Sequence, residues 1–257
     1  MAELRVEHVM GLPVRVHVRD AVVDLDAIDA AFAWLRWVDA RFSPYRADSD
    51  VCRLDHGASG GIHPLVHEVL ARCAALRTRT GGAFDVHAGG SLDPSGYVKG
   101  WAAERAAAIL AAAGAADFCV DAGGDLALRG GPWRVGVAHP SERRRVAAVL
   151  CVGDGAVATS GTSERGDHVL DPRTGRPARG LLSVTVTGPD LGTADAYATA
   201  AFALGPDGPA WTATLPDGYE AMSILPSGRV LSTPGFARSR GQAPTWPGAY
   251  ELRRPGR

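Results

Sequence analysis

Residues 93–128 read DPSGYVKGWAAERAAAILAAAGAADFCVDAGGDLAL and contain the two patterns that set the fold class. Residues 97–113 are rich in alanine and are followed by Gly114, which predicts a helix and its end. Residues 118–128 place apolar runs on either side of Gly123-Gly124, which predicts two strands joined by a tight turn. A helix that leads into an antiparallel hairpin is typical of α+β proteins.

The rest of the chain repeats these two kinds of element. Alternating apolar and polar side chains over residues 4–19 predict two strands broken near residues 10–13. Helical spacing of apolar residues predicts amphipathic helices over residues 24–41 and 64–79. Further strands are expected over 133–138, 146–160 and 181–187, helices over 193–204 and 209–215, and a closing hairpin over 219–231.

These elements predict a single two-lobed α+β domain over residues 1–257. Its sheet is expected to be mixed and largely antiparallel, with helices packed on it. No internal repeat and no change of composition marks a linker. Residues 235–257 are rich in Pro, Arg and Gly, so we expect an irregular C-terminal tail there.

Composition excludes several classes of function. The chain has 27 Lys and Arg against 28 Asp and Glu, a net charge of −1, which argues against a general nucleic-acid binder. No apolar stretch approaches the roughly 20 residues of a membrane span. Residues 1–19 lack the apolar run of a secretory signal, so we expect a cytoplasmic protein. The 4 cysteines are dispersed without CxxC spacing, which argues against a Cys-based zinc site.

The first segment that could bind a ligand is residues 93–100, at the start of the alanine-rich helix. Glycines before a helix leave backbone N–H groups that can bind an anion, and Lys99 adds a positive charge. Lys99 is also the only lysine in the chain. The segment lacks the Gly-x-x-x-x-Gly-Lys-Ser/Thr spacing of a P-loop, which disfavours ordinary NTPase chemistry. By itself it is also explained as a capped helix start with a surface lysine.

Two more segments combine polar residues with glycines. Residues 121–125, Asp-Ala-Gly-Gly-Asp, form either a plain hairpin turn or a place where a ligand approaches the backbone closely. Residues 159–176 contain His168 between a polar loop and a turn. A lone histidine here is often a structural hydrogen-bonding group, but its ordinary pKa also makes it the readiest general base in the chain.

The fourth segment is the predicted helix over residues 193–204. Asp195 and Thr199 are four residues apart, so their side-chain oxygens emerge on one face, about one turn apart. A carboxylate and a hydroxyl, completed by backbone carbonyls or waters, suit a hard cation such as Mg²⁺. The alternative is an aspartate that favours the helix dipole and a threonine that packs against its neighbours.

Taken together and in this order, the segments resemble the ApbE-type flavin transferases, the family of FAD:protein FMN transferases. The resemblance runs from residue 10 to about residue 205. It rests on seven groups of residues: 42–46 with 48–49 and 53–54, 82–85, 93–100, 121–125, 159–161 with 164–165, 168–175, and 194–195 with 198–200.

The resemblance implies an activity and a site. Members of the family cleave the pyrophosphate of FAD, move FMN onto a Ser or Thr side chain of a target protein, and release AMP. By similarity, FAD would occupy the cleft between the lobes, lined by Met10, Tyr45, Ala83, Phe84, Asp85, Asp93, Lys99 and Val169. Mg²⁺ would be held by Asp195, Thr199 and the backbone carbonyl of Gly96, and His168 would assist the acceptor hydroxyl.

The sequence also departs from the family pattern. Leu12 follows the Met-Gly pair where a small hydroxyl residue is common, and Ala198 stands where some relatives have a second carboxylate, which puts a two-metal site in doubt. Two other activities share the same motifs. An FAD pyrophosphatase would use water as the acceptor and yield FMN and AMP, and a non-catalytic FAD-binding protein would need neither His168 nor the Asp195/Thr199 pair. The sequence names neither the acceptor protein nor an oligomeric state.

Overall fold

The structure is a computed structural model that describes residues 2–22, 24–142, 145–162, 169–238 and 249–251. Its helices are α1 (Leu25–Phe42), α2 (Asp50–Asp55), α3 (Pro64–Arg79), α4 (Ser95–Ala112), α5 (Leu191–Ala203), α6 (Gly208–Thr212) and α7 (Pro234–Arg238). Its strands are β1 (Glu3–Val9), β2 (Leu12–Val18), β3 (Phe118–Ala122), β4 (Asp125–Arg129), β5 (Trp133–Ala138), β6 (Val146–Val152), β7 (Gly155–Gly161), β8 (Leu170–Asp171), β9 (Arg176–Pro177), β10 (Ser183–Gly188), β11 (Glu220–Ile224), β12 (Val230–Ser232) and β13 (Ala249–Glu251).

A nine-stranded sheet in the order β1-β2-β3-β4-β7-β10-β11-β12-β13 forms the centre of the molecule. Its neighbouring strands pair antiparallel except β12 and β13, which are parallel. The β5–β6 hairpin and the short β8–β9 pair lie outside this sheet. The predicted α+β class, with a mixed and largely antiparallel sheet and packed helices, is confirmed.

One face of the sheet is covered by helices. Strand β2 alternates buried and more exposed residues, with Val14 and Val16 pointing into the core. Helix α1 adds Phe32 and Leu35 to the same core, and α4 and α5 pack on β3, β4, β7 and β10. This layer follows from the period-2 pattern of the strands meeting the apolar faces of the helices.

The opposite face of the sheet is partly covered by the β5–β6 hairpin. Val135, Val137 and Leu150 of the hairpin form a second core with residues of the sheet such as Val157 and Met222. Val157 lies between two alanines of the first core on β7, so alternation turns its side chain to the other face. The hairpin therefore stands over the central strands, where it forms one wall of a cleft.

Helices α4 and α5 approach closely because both carry small residues at their contact. A Cβ at Gly100 would lie 2.6 Å from the carbonyl oxygen of Leu191, and one at Gly192 would lie 2.9 Å from the ring of Tyr97. Contacts this short exclude any larger residue without moving a helix. The close packing brings the start of α4 next to the middle of α5.

The predicted strands and the helices over 24–41, 64–79, 97–113, 193–204 and 209–215 are found within a few residues of their expected bounds. Helix α2 was not predicted; Ser49 caps it by accepting a hydrogen bond from the Cys52 N–H. The expected irregular tail over residues 235–257 falls mostly outside the described residues; in its described parts the structure has the end of α7 and the strand β13, which pairs with β12. Pairing with a distant strand supplies order that the local Pro- and Gly-rich sequence does not signal.

Within the described ranges, the structure contains no helix that is both long and apolar enough to cross a membrane.

Candidate functional site

A large open cleft of about 1610 Å³ lies between the start of α4, the loop after α3, the ends of β3, β4 and β7, and the β5–β6 hairpin. Every predicted binding and metal residue that the structure describes lines this cleft: Met10, Tyr45, Ala83, Phe84, Asp85, Asp93, Gly96, Lys99, Val169, Asp195 and Thr199. His168 lies outside the described residues. Its position and role stay predictions.

The candidate metal ligands come from two helices in contact. Asp195 and Thr199 lie one turn apart on α5, and residue 96 lies in the first turn of α4. A Cβ at Gly96 would lie 3.2 Å from Thr199 Oγ1, so a glycine there lets the two helices bring their oxygens close together. The arrangement offers a carboxylate, a hydroxyl and a nearby backbone segment, all with hard oxygen donors.

Asp195 carries a buried carboxyl group that lies 3.8 Å from the Lys99 ammonium. Its side chain is 2 % exposed, and its Oδ2 accepts a hydrogen bond of 3.2 Å from the Gly100 N–H. Burial raises the pKa of Asp195 to about 8; Lys99 and the Gly100 N–H oppose the rise, and Asp125 adds to it. A bound cation would favour the ionised form of such a group.

Lys99 is held between two buried carboxyl groups. Its Nζ lies 2.6 Å from Asp125 Oδ2 and 3.8 Å from Asp195 Oδ1. Asp125 is 1 % exposed, and its Oδ1 accepts a hydrogen bond of 3.0 Å from the Thr159 N–H. Lys99 therefore brings its positive charge to the helix start as one partner of an ion pair with the buried Asp125, and the residue lines the cleft.

Two hydroxyl pairs extend this polar region onto the sheet. Ser160 Oγ lies 3.3 Å from Thr199 Oγ1, and Thr159 Oγ1 lies 2.9 Å from Thr185 Oγ1. If the Thr199 hydroxyl is the donor in its hydrogen bond to Ser160 Oγ, the lone pairs of Thr199 Oγ1 remain available to a cation.

The part of the cleft formed by the loop after α3 is held in place by local hydrogen bonds. Asp85 Oδ2 accepts from Arg77 Nε at 2.7 Å, and Oδ1 accepts from the His87 N–H at 3.0 Å. Burial works to raise the pKa of Asp85, but the His87 N–H and the Arg77 guanidinium outweigh it and hold that pKa below its usual range. Asp85 is thus a fixed anion that can accept hydrogen bonds from a ligand.

The rim of the cleft is more open. Met10 adopts a left-handed backbone conformation, with φ of 56°, in the tight turn between β1 and β2. A non-glycine residue in this region costs about 1 kcal/mol or more, a strain that often accompanies ligand contact. Tyr45 is 85 % exposed, so a ligand that packs on its ring would cover apolar surface that is open to water in the structure.

Three features of the cleft were not named as site residues from the sequence. Asp125 and Ser160 belong to segments of the recognised pattern, but no role was given to either. A signal existed for Asp125, because alternation along β4 places it on the same buried face as Ala127, and a buried aspartate needs a partner. The wall formed by the β5–β6 hairpin gave no local signal, since it depends on how distant strands pack.

Mg²⁺ fits this donor set only in part through side chains. The described residues contain no group of three or more His, Cys, Asp or Glu that could hold a metal. Mg²⁺, however, often binds through one or two carboxylates, waters and the phosphates of a substrate. The buried Asp195 carboxyl, the Thr199 hydroxyl and the Gly96 carbonyl fit that mode, with a ligand's phosphate oxygens completing the shell.

Comparisons with known proteins identify relatives of the chain. A model of the ApbE family matches residues 10–92 and 86–223. A Rhodobacter capsulatus protein named FAD:protein FMN transferase is 38% identical over 157 residues, which cover 56% of this chain and 30% of that protein. A Vibrio cholerae protein of the same name is 35% identical over 129 residues, covering 44% of this chain and 39% of that protein. The chain thus spans about a third of the length of these curated relatives.

Structural similarity extends further along the chain. The crystal structure of the ApbE protein from Thermotoga maritima superposes with a TM-score of 0.85 over 94% of this chain and 100% of that chain, at 24% identity. At that level of identity the likeness establishes the shared fold.

Proposed function

The chain belongs to the ApbE family, and from this premise we propose that it transfers FMN from FAD to a Ser or Thr hydroxyl of a target protein, with Mg²⁺, and releases AMP. The observation that carries the proposal is that Asp195, Thr199 and Gly96 line one large cleft, with Gly96 packed against Thr199 Oγ1 and Asp195 one turn away on the same helix. The names of the two curated relatives support the same activity.

The size and lining of the cleft suit a dinucleotide. Its volume of about 1610 Å³ exceeds the roughly 300–1,000 Å³ typical of small-ligand sites. Phe84 and Val169 offer apolar contact for aromatic rings, while Asp85 and Asp93 offer carboxylate acceptors for N–H and O–H groups of the ligand. We place the diphosphate of FAD beside the start of α4 and beside Asp195 and Thr199 of α5.

The proposed reaction is an attack on the phosphorus of the FMN half of FAD. The oxygen of the acceptor hydroxyl forms the new P–O bond, and the P–O bond to AMP breaks, so AMP leaves with the bridging oxygen. A hydroxyl is a weak nucleophile at its ordinary pKa, so a base must take its proton. We assign the role of this base to His168, which directly precedes the cleft residue Val169 in the sequence.

When bound, Mg²⁺ would neutralise negative charge that builds up on the diphosphate oxygens. Asp195 would supply the anionic ligand, Thr199 and the Gly96 carbonyl the neutral ones. Ala198 provides no further carboxylate on α5, which supports a site for one ion.

The nearest alternative is an FAD pyrophosphatase, which would use the same residues with water as the acceptor. The names of the curated relatives support transfer, since both are named FAD:protein FMN transferase. A non-catalytic FAD-binding protein would not need a divalent-cation site.

The test is covalent flavinylation. The chain is co-expressed with a candidate flavin-accepting protein, and mass spectrometry of the acceptor looks for an added FMN on a Ser or Thr. In a parallel assay the purified chain is incubated with FAD and Mg²⁺, with and without the acceptor. The proposal expects FMN on the acceptor and AMP release that depends on it. Rapid release of FMN and AMP without acceptor would show a hydrolase, and FAD binding without any product would show a binding protein.

A further inference from the structure

The unusual feature of the cleft is a lysine shared unequally by two buried carboxyl groups. Lys99 Nζ lies 2.6 Å from Asp125 and 3.8 Å from Asp195. Both aspartates are almost fully buried, at 1 % and 2 % exposed, whereas the Lys99 side chain is 26 % exposed. The ammonium therefore forms a short ion pair with Asp125 and a longer one with Asp195, the candidate metal ligand.

We propose that Asp125 is a positioning residue: it draws the Lys99 ammonium towards the sheet and keeps its ion pair with Asp195 long, so that the Asp195 carboxylate can still bind a divalent cation. The inference rests on the proposed function, because it assigns the cation site to that activity. The new element is the role of Asp125 on β4, which holds the Lys99 ammonium so that it competes less with a metal ion for Asp195.

The position of Asp125 is fixed independently of Lys99. It begins β4, directly after the Gly123-Gly124 turn, and its Oδ1 is held by the Thr159 N–H on β7. Its Oδ2 is buried and lies 2.6 Å from Lys99 Nζ. The anion is thus aimed at the ammonium by the sheet, while Lys99 is a flexible side chain that follows its counter-charge.

Charge explains why the arrangement matters. A buried carboxylate attracts any cation within reach, and Lys99 and a metal ion would compete for the same Asp195 oxygen. With Asp125 present, the ammonium already has a buried partner at shorter distance. Without that partner, Lys99 would be drawn across the remaining gap to Asp195 and would occupy the metal's position.

The experiment measures metal binding without FAD or any reaction. Mn²⁺, which accepts the same oxygen ligands, is titrated into the purified chain, and free Mn²⁺ is followed by electron paramagnetic resonance. Asp125→Asn should weaken Mn²⁺ binding about tenfold, as expected when one charge of a network is removed. The double variant Asp125→Asn with Lys99→Met should recover binding to within about threefold of the natural chain, because the competing ammonium is gone.

Two further measurements separate positioning from a general structural defect. Lys99→Met alone should bind Mn²⁺ at least as tightly as the natural chain, and a crystal structure of Asp125→Asn should show Lys99 Nζ closer to Asp195 than 3.8 Å. The control is Asp117→Asn, which removes the carboxylate of an ion pair that lies outside the cleft, the partly exposed pair of Asp117 with Arg19, and should leave Mn²⁺ affinity unchanged.

Several outcomes would overturn the inference. These are unchanged binding in Asp125→Asn, a double variant as weak as Asp125→Asn, weaker binding in Lys99→Met, and no Mn²⁺ binding by the natural chain. Failure of FMN transfer with the expected metal pattern would instead reject the proposed function and leave the positioning role intact.

Discussion

Gly100 and Asp195 meet across the α4–α5 contact: the Gly100 N–H donates to Asp195 Oδ2 at 3.2 Å, and a Cβ at residue 100 would lie 3.0 Å from Asp195 Cβ. The same small residue therefore allows the helices to touch and orients the carboxylate. Helix packing and the orientation of Asp195 both depend on this contact, so a substitution at residue 100 affects both.

Gly100→Ala should destabilise the fold and weaken metal binding together. The new Cβ would lie 2.6 Å from the Leu191 carbonyl oxygen, which the backbone of α5 cannot relieve without moving. Overpacking of this kind costs about 1–3 kcal/mol, more than the roughly 1 kcal/mol that alanine gains over glycine in helix propensity. Urea unfolding gives the stability, and Mn²⁺ titration gives the effect on Asp195.

The matched control is Gly60→Ala. Residue 60 has no heavy atom within 4 Å of the added Cβ and no positive φ, so stability and metal binding should stay near those of the natural chain. Equal stability of Gly100→Ala and Gly60→Ala would contradict the close contact between α4 and α5.

Thr199→Val should raise the Mg²⁺ concentration that gives half-maximal FMN transfer, by about tenfold or more. Valine keeps the shape of threonine but removes the hydroxyl that lies 3.3 Å from Ser160 Oγ and is a proposed ligand. Thr199→Ser keeps the hydroxyl and should stay close to the natural chain. Equal Mg²⁺ dependence of the two variants would remove Thr199 from the metal site.

Asp195→Ala should weaken both metal binding and turnover, since it removes the anionic ligand of the proposed site. The effect on turnover should exceed that of Thr199→Val, because a charge contributes more than a neutral oxygen to holding a divalent cation. The readouts are Mn²⁺ affinity and the rate of AMP release. An unchanged Mg²⁺ dependence would refute the metal assignment.

His168→Ala should lower the rate of transfer while changing FAD affinity little. A general base contributes typically 10²–10⁴-fold to a rate through proton transfer, and it need not contact the bound dinucleotide strongly. Single-turnover kinetics give the rate, and quenching of flavin fluorescence gives the affinity. A large loss of FAD affinity at an unchanged transfer rate would assign His168 to binding instead.

The sequence predicts most of the fold because its signals are local. Alternation marked β1 and β2, and the alanine-rich run that ends at Gly114 marked α4, each within a few residues of the observed bounds. The order of the strands and the place of the β5–β6 hairpin were not predicted in this detail. They depend on pairings between residues far apart in the chain, such as Leu126 with Val157, which no local pattern encodes.

For the candidate site, too, the sequence reveals local spacing but not contacts between distant elements. The i, i+4 spacing of Asp195 and Thr199 is visible in the sequence, and the structure puts both in the cleft with Lys99. The pairing of Lys99 with Asp125 could not be foreseen, because it joins a helix to a strand start through tertiary packing. A charge at a helix start looks free in a sequence until its partner on another element is known.

The half-buried Glu104 makes stability depend on pH at the same helix contact. Glu104 on α4 accepts a hydrogen bond from the Leu191 N–H at the start of α5, beside the N-cap residue Asp190. Burial, and then the negative charge of Asp190, raise the pKa of Glu104 to about 7 from its ordinary 4.5. The folded chain therefore holds this proton over a range of pH in which the unfolded chain has lost it.

Glu104→Gln should stabilise the chain at pH 8 and have little effect at pH 4.5. Because the folded-state pKa is raised, the stabilising effect of the proton is full below about pH 4.5 and is lost as the pH rises towards about 7. Glutamine keeps a carbonyl acceptor for the Leu191 N–H and offers a donor to Asp190 at every pH. Since Glu104 is only partly buried, solvent screening limits the gain to about 1 kcal/mol. Urea unfolding at both pH values measures it, with the exposed Glu68→Gln on α3 as the control; an equal gain at both pH values would contradict the raised pKa.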